Sequence, residues 1–443
     1  MEVYLPEDVL EKAKEYNVKF IRLQFTDIFG VLKNIAVTVD DLKRALDGQL
    51  IFDSSVLEGA VKNRERDILL KPDPSTFVVF PWRPREGAVA RLICDIANPD
   101  GTPYPGCPRY VLRKVLSEAT AIGYSAMAGT EVEFYLFHGD DKGNPTTDTH
   151  DRAGFCDLSP IDLGENARRD MVLTLEEMGI EIGSSHHELG NGQHEIVLKY
   201  DEVLTAADKF ITFKFVVRTI AQRHGLHASF MPKPIISMPG SALHWHISLY
   251  RLGNNAFFDP ESPRQLSKDC MHFIGGMLKH VKGNTAITNP LVNSYKRLIP
   301  SELVPVYIAW SEHNRNSVIR VPAYRGQQTR VEVRNPDPSC NPYLALAVMI
   351  KAGLVGIKNL CIPPEPVAEN IYQMKQEQRD ALQVGRLPHH LEAALAELAQ
   401  DEIIRSTLGE YLFNRFYEGK LQEWERYHNL VHPWELKEYL TVY

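Results

Sequence analysis

The chain has 443 residues, 49 Lys and Arg against 57 Asp and Glu, a formal net charge of -8, and 44% hydrophobic and 24% charged residues. A chain of this length buries a large core, its 28 Gly and 28 Pro are too few for a collagenous or low-complexity sequence, and an acidic balance without a basic run argues against nucleic acid as a partner. No apolar run reaches the ~18–20 residues of a membrane-spanning helix, and the start carries acids where a signal peptide carries a basic and then an apolar region. Six scattered cysteines without a Cys-x-x-Cys pair fit reduced thiols, so a cytoplasmic chain with no membrane partner is expected.

In chain order, residues 19–25 and 31–37 alternate apolar and polar around Gly30 and predict a hairpin. Residues 76–82 and 89–96 predict two more strands, and the rest of the first hundred residues reads as loop. Asn98-Pro99-Asp100-Gly101-Thr102-Pro103 is a dense turn signal and the expected domain boundary. This divides a small β-rich domain over 1–103 from a large mixed one over 104–443. Apolar spacing beyond it predicts helices over 109–122, 165–178, 201–224, 268–281 and 342–354, and an almost wholly helical end from 391 onward. The expected class is α+β.

Four stretches of the large domain carry polar residues two apart, and residues at that spacing share one face of a strand. Glu131 and Glu133 alternate with Val132 and Phe134; His244 and His246 flank Trp245; Glu332 stands between Arg330 and Arg334, backed by Val331 and Val333. Residues 186–196 place His186, His187 and Glu188 before a Gly190-Asn191-Gly192 turn and His194-Glu195 after it, as a hairpin would. Any one of these alone reads as a solvated or packed face. Together, Glu131, Glu133, Glu188, Glu195 and Glu332 facing one cavity would repel unless cations occupy it. Oxygen-rich sites with one imidazole suit at least two Mg²⁺ or Mn²⁺ ions rather than zinc. Such ions beside Arg297, Arg315, Arg320, Arg330 and Arg334 point to metal-assisted handling of ATP phosphates, in a chain without a Walker-type or Gly-x-Gly-x-x-Gly loop.

These residues, with Phe80-Pro81-Trp82, Asp162-Leu163-Gly164-Glu165-Asn166, Gly192-Gln193-His194-Glu195, Phe230-Met231-Pro232-Lys233-Pro234, Asn293-Ser294-Tyr295-Lys296-Arg297-Leu298 and Val431-His432-Pro433-Trp434-Glu435, resemble the glutamine synthetase family of the bacterial type I class, in its shorter Gram-positive-like form. The resemblance covers nearly the whole chain. It implies an N-terminal β-grasp domain, a catalytic domain with a curved antiparallel sheet and helices, and a dodecamer of two hexameric rings with active sites between neighbouring subunits. It implies that Glu133, Glu188 and Glu195 hold one metal and Glu131, His244 and Glu332 the other. Arg297, Arg334 and Gly240 match glutamate-binding positions, Arg315 and Arg320 positions near the transferred phosphate, and His246 a nucleotide-side position. Asp53 matches a residue that helps bind ammonium. The implied reaction makes γ-glutamyl phosphate from L-glutamate and ATP, after which ammonia or an amine displaces phosphate.

Departures from the family pattern cluster at the acceptor end. The family flap Pro-Gly-Tyr-Glu-Ala-Pro becomes Pro300-Ser301-Glu302-Leu303-Val304-Pro305, so Leu303 stands where the family has its catalytic glutamate, and in an extended loop Glu302 would point the other way. A serine is lost after Asp53, at Val56, and Pro239 replaces an asparagine before Gly240. The metal and arginine positions are intact. The sequence therefore leads to an ATP-dependent γ-glutamyl–amine ligase. A true glutamine synthetase, with Asp53, Glu302 or water replacing the base, stands as an alternative, and so does a catalytically silent scaffold or regulator. The adenylylation motif of the longer enzymes is absent, which makes Tyr372 structural, and Lys62 stands where similar enzymes carry a feedback arginine. The end, 431–435 and Tyr443, resembles the tail through which subunits dock.

Overall fold

The computed structural model describes residues 4–58 and 66–443, so Lys62 lies outside the described residues. The N-terminal part runs α1 (Pro6–Glu15), β1 (Val18–Thr26), β2 (Leu32–Thr38), α2 (Leu42–Leu46), β3 (Leu50–Asp53), β4 (Asp67–Val79) and β5 (Ala88–Ala97). Its sheet has the order β2-β1-β5-β4-β3, with β1 and β5 parallel at its centre. The predicted β1–β2 hairpin forms because Asp27 accepts from the N–H groups of Phe29 (3.0 Å) and Val31 (2.8 Å), while Gly30 takes a φ of +86°. The two helices are a correction to the loops expected there. Their fully buried positions are only Val9 with Ala13 and Leu42 with Ala45, with Leu10 and Leu46 partly buried beside them, inside otherwise charged segments. That signal is too short to stand out as a helical period.

The remainder comprises α3 (Pro108–Ala121), β6 (Ser125–Gly139), β7 (Pro145–Thr149), α4 (Glu165–Glu177), β8 (Ile182–His187), β9 (Gln193–Glu202), α5 (Val203–Arg223), β10 (Leu226–Ser229), β11 (Leu243–Arg251), β12 (Asn254–Asn255), α6 (Lys268–Thr288), α7 (Ser294–Arg297), β13 (Tyr307–Ser311), β14 (Ser317–Arg320), β15 (Val331–Val333), α8 (Pro342–Lys358), α9 (Gln376–Ala381), β16 (Gly385–Arg386), α10 (Leu391–Gln400), α11 (Glu402–Leu408), α12 (Glu410–His428) and α13 (Pro433–Tyr439). An 11-stranded sheet runs β16-β13-β14-β15-β11-β6-β9-β8, with β7 and β10 also on β6 and β12 on β11. It is antiparallel except where β13 and β14 run parallel, so the sheet is mixed. The α+β class with an N-terminal β-grasp domain holds.

One face of the large sheet is sealed. Val132, Phe134, Leu136, Trp245 and Ile247 are fully buried, and Phe210 and Phe213 of α5 pack on Trp245 and Phe134 with ring centroids 5.8 and 6.2 Å apart. At ~1.5–3 kcal/mol for each large apolar side chain buried, this face fixes the strand registers. The polar residues that alternate with them are thereby forced onto the other face.

The two sheets are joined by a buried charge network. Arg109 of α3, 4% exposed, reaches Asp208 of α5 (2.7 Å), Asp73 of β4 (2.8 Å) and Asp95 of β5 (3.0 Å). Arg109→Leu would strand Asp208 with Tyr343 Oη as its remaining donor, at 2.7 Å. Removing one partner of a buried ion pair costs about 3–5 kcal/mol, so urea unfolding of this variant should show a loss of that order. A change below ~1 kcal/mol would contradict the assignment of this network as the joint.

Candidate active site

The strand pairings turn the alternating polar residues into one line across the sheet. Glu131 of β6 pairs with His244 of β11, Glu133 of β6 with Glu195 of β9, and Glu195 with His186 of β8. On the other side His246 of β11 pairs with Glu332 of β15, and Glu332 with Arg320 of β14. Directly paired residues carry Cβ atoms ~4.5–5.5 Å apart. The line thus spans six strands, with Glu188 at the end of β8.

Its polar contacts are dense. Glu131 accepts from His244 Nδ1 (3.0 Å) and His246 Nε2 (2.8 Å), and His246 Nδ1 accepts from Arg330 Nε (3.3 Å). Because arginine only donates, the proton of a neutral His246 sits on Nε2. Glu332 is held by Arg320 Nη1 at 2.6 Å and by Arg334 Nη1. His186 Nε2 lies 3.0 Å from Glu188 and 3.8 Å from Glu195. Candidate ligand atoms gather in three overlapping groups within 4.8 Å: His186, Glu188 and Glu195; Glu131, Glu195 and His244; Glu131, His246 and Glu332. Glu195 is shared between the first two, and His186 joins a set that the family pattern assigned without it. Glu133 instead accepts from the N–H of Ala242 (2.8 Å) and from Gln193 Nε2 (3.1 Å).

The charges are in conflict. Burial, then repulsion from Glu133, Glu131 and Glu188, pushes the Glu195 carboxyl up to about 10. Burial and Glu188 push Glu133 up to about 7. Burial acts the same way on Glu332, but Arg334, His244 and His246 outweigh it and bring that carboxyl down to about 2. On Glu131 the burial effect is outweighed by the bonds from His244 and His246, so its pKa is lowered. Carboxyls that need protons to coexist are a donor set for hard cations.

The positions expected to bind glutamate adjoin this line. The chain leaves the edge of β6 at Ser229 and returns to it at Leu243, and the loop between them, residues 230–242, reaches the line at Ala242, whose N–H bonds Glu133. Gly240 sits where a Cβ would stand 2.5 Å from the Pro232 carbonyl oxygen and 2.9 Å from Arg297 Cγ, so no other residue fits without displacement. Arg297 is buried and donates to the carbonyls of Asn335 (2.7 Å) and Arg334 (3.2 Å), and burial lowers its pKa.

Not every expected residue joins. Asp53 ends β3 in the N-terminal sheet, where its carboxylate caps Ser55 N–H at 2.8 Å. Arg315 is exposed and approaches the line through its carbonyl, which accepts from Arg334 Nε at 3.1 Å. The segment 301–304 is a turn closed by Val304 N–H to Ser301 O (3.0 Å), not an extended stretch. Pro300 and Pro305 flank it and lack the N–H groups a strand needs. Glu302 and Leu303 are therefore both exposed at its corner, Leu303 at 62%, and the opposed orientation expected of an extended loop does not apply to them. Tyr372 is structural, donating to the Val304 carbonyl at 2.7 Å with its ring against Tyr307.

Two features escaped sequence reasoning. Beside His246 stand Tyr200, 38% exposed with its ring centroid 6.4 Å away, and Tyr324, 64% exposed with the Arg330 guanidinium 5.6 Å over it. Exposed aromatics with an arginine form a stacking platform. Behind the hairpin, His187 pairs with His194 on the opposite face. His187 Nε2 meets Asp151 at 2.9 Å and its Nδ1 the Glu188 carbonyl at 2.7 Å, while Arg168 ties His194 (2.9 Å) to Asp162 (2.8 Å). Period-2 alternation of His186/His187 and His194/Glu195 was the available signal.

Residues 17–99 match the family described as Glutamine synthetase, beta-Grasp domain, and residues 105–439 match Glutamine synthetase, catalytic domain. The chain is 52% identical over 443 residues to a protein named Glutamine synthetase from Clostridium saccharobutylicum, covering 100% of both. It is 51% identical to one of that name from Thermus thermophilus, with 99% of this chain and 100% of that one covered. A solved structure of a GmaS/ADP complex superposes with a TM-score of 0.89 at 30% identity, covering 98% of this chain and 99% of that one. The family uses ATP and divalent metal ions, and the chain belongs to it: it is a member of the glutamine synthetase family, an ATP-dependent ligase that forms carbon–nitrogen bonds.

Proposed function

We propose that the chain joins a primary amine to the γ-carboxylate of L-glutamate through γ-glutamyl phosphate, with domains divided at residues 103/104. A glutamate γ-oxygen attacks the terminal phosphorus of ATP and ADP leaves; the amine nitrogen then attacks the acyl carbon, phosphate leaves and a proton is lost. Glu131, Glu133, Glu188, Glu195, His244 and Glu332 would hold at least two Mg²⁺ or Mn²⁺ ions, which would supply charge neutralisation at the phosphates. The crowded carboxyls of Glu133 and Glu195 support this donor set. Arg297, Arg334 and Gly240 orient glutamate. Arg315 and Arg320 act at the transferred phosphate. His246, with Tyr200 and Arg330 beside it, faces the nucleotide, a reading supported by the similarity to the GmaS/ADP complex.

The acceptor reading rests on one observation: an exposed leucine, Leu303, stands at the corner of the 301–304 turn, where the family pattern has its catalytic glutamate. A carboxylate general base contributes about 10²–10⁴ in rate; leucine contributes apolar contact for an amine with a hydrocarbon body. A second reading, glutamine synthesis from ammonia, is favoured by the 52% identity to a Glutamine synthetase along the full chain. With ATP, Mg²⁺ and glutamate, phosphate release should be faster with some member of a panel of primary amines than with ammonium, and Leu303→Glu should raise the ammonium rate by about tenfold or more. Ammonium as the best acceptor of wild-type protein, unchanged by Leu303→Glu, would establish the second reading.

We also propose a dodecamer of two hexameric rings, in which Asp53 serves a neighbouring subunit's site as the ammonium- or amine-side acid. Val431, Trp434, Leu440 and Tyr443 are 68%, 60%, 73% and 98% exposed, an apolar tail in need of a partner surface. Removal of residues 431–443 should shift light-scattering mass from the dodecamer to smaller species; an unchanged mass counts against the tail as the dock.

A further inference from the structure

A cleft of about 830 Å³ separates the β1–β2 hairpin from α5 and β10. Five cations line it, Arg22, Arg83, Lys214, Arg218 and Lys420, and among the described residues no Asp or Glu does. In a chain with a net charge of -8 this is an unusual excess. Two of the five are spoken for: Lys420 pairs with Glu423 at 2.9 Å, and Arg22 bonds Asn34 at 3.3 Å. The other three have no carboxylate in ion-pair contact among the described residues. Lys214 Nζ donates to the Pro338 carbonyl at 2.6 Å and lies 5.5 Å from the Phe230 ring. The Arg218 guanidinium sits over the same ring at 5.2 Å, and the exposed Arg83 side chain has no anionic partner among the described residues. Burial, reinforced by Arg218, pushes Lys214 down to about 8. Like charges held together without an acid favour an anion.

The remaining walls are mostly apolar, with an aromatic cluster. Trp82 stacks on Phe80 at 4.7 Å and meets Phe215 edge-on at 5.5 Å, and both Trp82 and Phe215 are only partly buried. An inorganic anion would leave these walls unused. We propose that the cleft is a second ligand site, for a small carboxylate with an aromatic or bulky apolar body, and that its occupancy alters the loop carrying Gly240.

The coupling has a short covalent route. Ser229, Phe230 and Met231 form one wall of the cleft. The next residue, Pro232, accepts from Ser241 N–H at 2.9 Å and is the backbone against which Gly240 is pressed. Gln193 Nε2 then bonds both the Gly240 carbonyl (3.2 Å) and Glu133 (3.1 Å). A ligand that favours one arrangement of the wall shifts the loop by its differential affinity for the two arrangements.

The test is a calorimetric titration of the full-length protein with phenylacetate, its neutral counterpart 2-phenylethanol, and acetate, followed by hydrogen exchange. None of these readouts needs catalysis, so they are independent of the acceptor proposed above. Phenylacetate should bind saturably at one site per chain, at least about tenfold tighter than either other probe. The surface double variant Arg83→Gln/Arg218→Gln should lose about tenfold or more with unchanged circular dichroism, and Trp82→Ala should also weaken binding. Bound phenylacetate should slow exchange in residues 232–241. No saturable binding, equal binding of 2-phenylethanol, or full binding by the double variant would overturn the site. Exchange in 232–241 unaffected by bound phenylacetate would overturn the coupling.

Discussion

Five glutamates on one face of a sheet whose other face is packed with aromatic rings cannot all be charged without cations. Two unit charges about 4 Å apart repel by roughly 4 kcal/mol at an effective dielectric constant of ~20. Neither strand nor side chain can relieve this by turning away, because a one-residue slip would put Phe134 and Trp245 in water and the acids in the core. The molecule relieves it in part: His244 and His246 hydrogen-bond to Glu131, and Arg320 and Arg334 neutralise Glu332. Glu133 and Glu195 have no arginine in ion-pair contact among the described residues, and their carboxyls are the two pushed upward. The charge imbalance is therefore localised at the β8–β9–β6 end of the line.

That localisation divides the site by role. The arginine-rich end at β14 and β15 holds cationic groups already aligned on a fixed carboxylate. The β8–β9 end holds acids with no arginine in ion-pair contact among the described residues, backed by the buried His187–Asp151 and Arg168–Asp162 pairs. Between them Gly240 is pressed against both the Pro232 carbonyl and the Arg297 side chain, so anything bound against Arg297 is placed by backbone as much as by side chains. The 301–304 turn is built separately, pinned by Tyr372 and bracketed by two prolines, and can change its corner residues without disturbing the line. A family member can thus keep the phosphate chemistry and change the acceptor.

The acidic line was legible in the sequence because period-2 alternation puts Glu131 with Glu133 and His244 with His246 on one face, and tertiary packing respects it. Strand order was not legible: that β11 lies between β6 and β15 follows from pairings remote in sequence. The same limit hid the sharing of Glu195 between two groups and the recruitment of His186. Tyr200 and Tyr324 were missed because an exposed aromatic has no local pattern, and helices α1 and α2 because two buried positions in a charged segment give little period. The turn at 301–304 was misjudged although both flanking prolines were in view.

The carboxylate conflict is tested most directly by calorimetric titration with Mn²⁺ at pH 7 in two buffers of different ionisation enthalpy. Burial and the neighbouring carboxylates raise the carboxyls of Glu195 and Glu133, so the metal-free protein holds protons on this group at pH 7. Binding must therefore displace protons. The account predicts at least two ions per chain with net proton release, and with Glu195→Gln a smaller release and weakened binding of at least one ion. Fewer than two ions per chain, or binding with no proton released, would contradict it.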